Sequence, residues 1–149
     1  MRSKVKDFMT KKVVTIGRET TIQEMAHIFL THTFDLLPVV DKENNLLGVI
    51  AKKDLLSPFV PEYFDLLEDI GFISDFGGLE TVPGTILENL LLAEDIMREN
   101  PVTIDEEASC FKALALMASH DIRHLPVVKK GKLIGIVSRT DILKVIFPR

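Results

Sequence analysis

Ser138, Thr140 and Asp141 put two hydroxyls and a carboxylate within four residues, just after the apolar run Gly135-Ile136-Val137. Ser-x-x-Asp at such a place is an ordinary helix start, with the hydroxyl and the carboxylate capping free backbone N–H groups. The same groups could hold a sugar and a phosphate. A carboxylate accepts two donors at once, and the N–H groups and dipole of a helix N-terminus favour an anion. Asp54 follows a similar run, Gly48-Val49-Ile50-Ala51, but Lys52 and Lys53 precede it and the first hydroxyl is gone.

Little else in the chain offers chemistry. The four His and the one Cys show no metal-ligand spacing. No nucleophile, base and orienting group fall into a recognisable constellation. No catalytic residue and no metal are assigned. Cys110 lies on an apolar helical stripe and reads as core. His32 and His120 end equivalent helices and read as C-terminal cations or packing residues, and His27 reads as exposed.

The elements that must position Asp54 and Asp141 occur twice. Leu37-Pro38-Val39-Val40 recurs as Leu125-Pro126-Val127-Val128. The same offset pairs Asp7-Phe8-Met9 with Asp95-Ile96-Met97, Val14-Thr15-Ile16 with Val102-Thr103-Ile104, and His32 with His120. One residue is lost in the polar turn after Val128, where length changes are tolerated. Beyond it Gly48 matches Gly135 and Asp54 matches Asp141.

Each copy predicts strand, helix, strand, strand, helix. A short extended piece comes first (13–16; 102–104). Ile22, Met25, Ala26, Phe29 and Leu30 then fall on one helical stripe, as do Cys110, Ala113, Leu114, Met117 and Ala118. Thr21-x-x-Glu24 predicts a capping box. Two strands joined by a polar turn follow (36–40 and 46–51; 125–128 and 133–138). A last helix opens near Asp54 or Asp141, stopped by Ser57-Pro58 or Pro148. Two small halves packed about a pseudo-twofold axis would bury each other's open faces, with ligand clefts between them. The division is 1–56 for the first repeat, 57–92 for a helical connector and 93–149 for the second repeat. In the connector, Pro61 opens a helix with Tyr63, Leu66, Leu67 and Ile70 on one stripe and Gly71 ending it. A second helix spans 86–97. Phe72 to Gly78, aromatic and Gly-rich, reads as core packing or a subunit contact, or else as a lid.

With 149 residues, 46% hydrophobic and 27% charged, the chain has an ordinary globular balance. Its net charge of −4 argues against non-specific nucleic-acid binding, which needs a positive field. One cysteine allows no internal disulfide and fits a reducing compartment. No apolar run reaches membrane-spanning length, and the polar start lacks the apolar core of a signal peptide. A cytoplasmic protein is expected.

Asp-x-Met at 7–9 and 95–97, Leu-Pro-Val-Val in both halves and Gly-x-x-x-x-x-Asp at 48–54 and 135–141, in order and twice, resemble a tandem pair of cystathionine-β-synthase (CBS) domains, or Bateman module. The resemblance covers nearly all of the chain except the connector. It implies an α/β (α+β) fold of two β-α-β-β-α repeats. It also implies an adenosine compound (AMP, ADP, ATP or S-adenosylmethionine) bound between them as a regulatory ligand, a homodimer, an effector protein regulated in trans, and no catalysis. Carried over by position, Asp141 accepts from the ribose hydroxyls, Ser138 and Thr140 meet phosphate, and Arg123 and His124 face phosphate. Val137 lies near the base, and the other half supplies Thr20, Ile22 and the backbone of Phe34, Asp35 and Leu36. The mirror cleft of Asp54, Lys52 and Lys53 is expected to be weaker, because Asp35 and Leu36 stand where Arg123 and His124 stand in the second repeat. A ligand-free interaction module is the competing expectation.

Overall fold

A computed structural model describes residues 3–59 and 91–148. The first repeat runs α1 (Val5–Phe8), α2 (Ile22–Thr31), β1 (Leu36–Val40), β2 (Leu46–Ala51) and α3 (Lys52–Leu56), with a 3₁₀ turn at Ser57–Phe59. The second runs α4 (Ala93–Ile96), β3 (Arg98–Glu99), α5 (Cys110–His120), β4 (His124–Lys129), β5 (Lys132–Ser138) and α6 (Arg139–Ile146). The connector helices expected after Pro61 and from 86, and the Phe72–Gly78 stretch, lie outside the described residues up to 90. The single helix expected over 86–97 is not continuous: Leu92 is extended and bridges Thr21, because it joins the strand-like exchange with the first repeat, and only the turn α4 is helical.

Local chemistry explains the elements. Thr21 Oγ1 accepts from the Glu24 N–H at 3.1 Å and Ser109 Oγ from the Lys112 N–H at 3.0 Å, starting α2 and α5. Ile22, Met25 and Phe29 are buried on α2, and Cys110, Ala113 and Met117 on α5. The expected stripe is narrower than its spacing suggested. Leu30 is 85% exposed and Leu114 41%, and Ala118 is exposed as well. At about 100° per residue, i+4 and i+8 swing roughly 40° and 80° to one side of the first residue while i+3 and i+7 fall on the other, and that other side is the one each helix buries.

Each repeat builds an antiparallel hairpin, β1 with β2 and β4 with β5. The irregularities fall at equivalent places, Val39/Val40 and Val127/Val128. The expected first strands are reduced to single parallel bridges, Ile16 with Val39 and Ile104 with Val127. Ile16 N donates to Pro38 O and Ile104 N to Pro126 O, both at 3.0 Å. The prolines of Leu-Pro-Val-Val therefore serve as acceptors, while lacking an N–H of their own. Leu37 and Leu125 are fully buried beside them.

The sequence order does not show that the repeats exchange their leading segments. Val5 N donates to Ala108 O (2.8 Å), and Thr10 and Ile136 trade backbone bonds (2.8 and 2.9 Å). In mirror fashion, Ala93 N donates to Thr20 O (2.8 Å), and β3 pairs with β2, Arg98 opposite Val49. Val5 accordingly sits in the core of the second repeat and Ala93 in that of the first. The cross-repeat bridges come in matched pairs: Lys4 with Ser109 and Thr21 with Leu92, Thr10 with Ile136 and Arg98 with Val49. Asn45 with Lys132 maps onto itself, so the hairpin turns meet on the pseudo-twofold axis.

This exchange accounts for the motifs. Asp7 Oδ2 accepts from the Lys4 N–H at 3.0 Å and Asp95 Oδ2 from the Leu92 N–H at 2.8 Å, each holding a one-turn helix closed. The Met two residues later crosses to the other repeat and lies on its glycine. A Cβ on Gly48 would come within 2.8 Å of Arg98 O and 2.9 Å of Met97 Sδ. One on Gly135 would come within 2.8 Å of Met9 Sδ and 2.9 Å of Thr10 O. Asp-x-Met and the motif glycine are thus two sides of one contact between repeats. No helix among the described residues is long and apolar enough to cross a membrane.

Candidate ligand cleft

Asp141 enters through the first turn of α6. Its Oδ2 accepts from the Ser138 N–H at 2.9 Å and the Ser138 hydroxyl at 3.0 Å. The Asp141 N–H returns a bond to Ser138 Oγ at 3.2 Å, which completes the capping box. Thr10 Oγ1, carried over from the first repeat, lies 3.3 Å from both carboxylate oxygens. Asp141 is 7% exposed, so these donors replace most of its water.

Asp54 enters through the first turn of α3 and accepts from the Ala51 N–H at 2.7 Å. With no hydroxyl at position 51, its second partner is a cation: Arg98 Nε lies 3.3 Å from Oδ2. Arg98 comes from β3 of the other repeat and is the counterpart of Thr10. The same strand exchange therefore gives one carboxylate a neutral hydroxyl and the other a guanidinium.

A cavity of about 830 Å³ opens between the repeats. From the first repeat it is lined by Asp35, Leu36, Val49, Ala51, Lys52 and Lys53. Its second-repeat wall includes Arg98, Arg123, His124, Pro126 and Arg139. Five of its lining residues are Lys or Arg, and three are acidic: Asp35, Glu99 and Asp121. In a chain of net charge −4 the cavity is net positive. Lys52 Nζ is tied to Asp35 Oδ1 at 3.2 Å. At the equivalent corner Arg123 replaces the acid and Arg139 the lysine, held together by a 3.3 Å bond from Arg139 N to Arg123 O. His124 pairs with Ser138 across β4 and β5. Burial pushes its pKa below the usual histidine value, against the pull of the Asp35 and Asp141 carboxylates.

The residues expected from sequence are distributed in a specific way. Arg123, His124, Asp35, Leu36, Lys52 and Lys53 share one cavity. Arg123 and His124 thus line it together with the flank of Asp54. Ser138 bonds directly to Asp141, and Thr140 is exposed in the turn before it. Val137 and Ile22 are packed in the two cores. Thr20 Oγ1 accepts from the Gly17 N–H at 3.1 Å, and Phe34 stacks on His32 with ring centroids 5.0 Å apart. Three residues escaped sequence reasoning: Thr10, Arg98 and Arg139. The repeat offset pairs Thr10 with Arg98, both directly after Asp-x-Met, but nothing local says that they cross to the other half. Among the described residues no group of three or more His, Cys, Asp or Glu could hold a metal ion.

The CBS domain family matches residues 5–60 and 93–148. A CBS domain-containing protein of Dictyostelium discoideum is 35% identical over 149 residues, covering 96% of this chain and 90% of its own. The structure of the CBS domain of a CBS domain-containing membrane protein from Sphaerobacter thermophilus superposes with a TM-score of 0.74 at 28% identity, covering 99% of this chain and 90% of that one. CBSX2, solved in complex with AMP, superposes with a TM-score of 0.73 at 25% identity, covering 96% of this chain and 95% of that one. With its motifs, its paired repeats and their exchanged segments accounted for, the chain belongs to the CBS domain family and is a CBS domain pair.

Proposed function

We propose that this CBS pair is a regulatory module. It takes an adenine nucleotide in the cavity between its repeats and passes that occupancy to a separate effector protein, without catalysing a reaction. The observation that carries the reading is the cavity itself, built from both repeats and net positive in an acidic chain. The AMP complex of the relative CBSX2 supports the ligand class. Leu36, Val49 and Pro126 offer an apolar wall for the base. Arg123 and His124 face the phosphate, and Asp54, whose flank lines the cavity, takes the ribose hydroxyls once Arg98 releases it. Asp141, with Ser138 and Thr140, expected from sequence to share the better cleft with Arg123 and His124, is in this reading the carboxylate of the second, mirror cleft, because Arg123 and His124 line the cavity beside Lys52 and Lys53. Because the cavity is shared, a ligand that binds one arrangement of the repeats better than another shifts their balance. The module works as a homodimer in the cytoplasm.

Isothermal calorimetry with AMP, ADP and ATP tests this. Asp54→Ala is expected to weaken binding about tenfold or more, from the loss of charge-assisted hydrogen bonds. A loss confined to Asp141→Ala would move the ligand to the mirror cleft. Absence of binding by every adenosine compound would sink the reading.

A further inference from the structure

The cavity's charges are distributed unequally. Lys52 is neutralised by Asp35 at 3.2 Å, and Arg98 is engaged with Asp54 at 3.3 Å. Arg123 and Arg139 have no carboxylate partner within salt-bridge distance among the described residues. They are nevertheless joined through the backbone, Arg139 N to Arg123 O, at the equivalent of the Asp35–Lys52 corner. Two like charges beside one cavity repel unless an anion sits between them. Guanidinium forks match phosphate oxygens in pairs. A cationic ligand group would meet the same repulsion, since neither guanidinium is paired with a carboxylate among the described residues.

Building on the nucleotide reading, we infer that the cavity selects by phosphate charge. The Arg123–Arg139 corner, joined by Arg98 when it leaves Asp54, seats a di- or triphosphate and rejects the cationic sulfonium of S-adenosylmethionine. Arg139 is the specificity-determining residue, since it stands where the other repeat has a neutralised lysine. The phosphate chain alone carries the attraction, so inorganic tripolyphosphate should bind without any nucleoside.

Calorimetry without added magnesium, using adenosine, AMP, ATP, S-adenosylmethionine and inorganic tripolyphosphate, tests the inference. ATP is expected to bind about tenfold or more tighter than adenosine, since each charge-assisted bond is worth that much or more. Tripolyphosphate should bind and weaken with salt. Arg139→Ala should cost ATP and tripolyphosphate about tenfold and leave adenosine unchanged, with Arg139→Lys recovering part of the loss. Equal affinity for ATP and adenosine, or tighter binding of S-adenosylmethionine than ATP, would overturn charge selection and leave the adenosine site standing. If no adenosine compound binds, the nucleotide reading fails. Tripolyphosphate binding lost in Arg139→Ala would then still support the anion seat, and its absence would overturn both. Arg139 is exposed at the start of α6, and circular dichroism of each variant separates misfolding from lost binding.

Discussion

The two repeats are alike in backbone and unlike in charge. Both hairpins carry the same irregularity, and both motif glycines meet a crossing methionine. At the cavity the first repeat presents a closed ion pair, Asp35 with Lys52, where the second presents Arg123 and Arg139. The carboxylates differ in the opposite sense: Asp54 is held by a cation and Asp141 by neutral donors. Duplication reproduced the frame, which packing constrains. The cavity side chains, which packing constrains less, diverged into one neutralised corner and one cationic corner.

The frame should fail equally in both copies. Gly48→Ala and Gly135→Ala each push a Cβ against the backbone of the crossing strand. Each is expected to lose about 1–3 kcal/mol in urea unfolding, as overpacked sites do. A large loss in one copy alone would break the symmetry.

The carboxylates should differ. Asp141→Ala leaves the Ser138 N–H and the Thr10 hydroxyl without their acceptor in a partly buried place, a loss of about 1–3 kcal/mol. Asp54→Ala removes a cap and a partly exposed ion pair and should cost no more than about 1 kcal/mol. Equal losses would show that the difference in partners has no energetic weight.

The charged corners can be made more alike. Asp35→Asn frees Lys52 to face the cavity. ATP affinity should rise by up to about fivefold, the scale of an exposed ion pair, in calorimetry at low salt. An unchanged affinity would mean that Lys52 does not reach the ligand.

The smallest effect concerns the exchanged segments. Lys4 and Lys6 reach Glu107 at 2.6 and 2.8 Å. The equivalent positions of the other exchange, Leu92, Glu94 and Glu19, offer no such clamp. The Lys4 and then the Lys6 hydrogen bond hold the Glu107 carboxyl at about 2, below its ordinary 4.5. A depressed carboxylate stabilises the fold above its unfolded pKa. Wild type should exceed Glu107→Gln in melting temperature by a small constant amount above pH about 5, and that margin should vanish as pH falls toward 2. A margin independent of pH would show that the clamp is not ionic.

Much of the fold is legible in the sequence. The repeat offset located both hairpins and both long helices, because those elements are specified by spacing within a few residues. It also located Asp54 and Asp141, which stand at the same distance from their glycines. The helical stripe is narrower than its spacing predicts at Leu30, Leu114 and Ala118, since periodicity says which side is apolar and not how much of it a neighbour covers. Thr10, Arg98 and Arg139 went unnoticed because their importance comes from neighbours far away in the chain.

The sequence by itself determined that there are two copies of one supersecondary unit and which of its acids open a helix. Those features are local, written in caps, turns and periodicity. Tertiary structure alone decided that each copy lends its leading segment to the other. It thereby chose Thr10 as the partner of Asp141 and Arg98 as the partner of Asp54, and put Arg123 and His124 beside Lys52 and Lys53. Pairing between β2 and β3 joins residues about fifty positions apart, and no local propensity encodes which strand edge a distant segment will find.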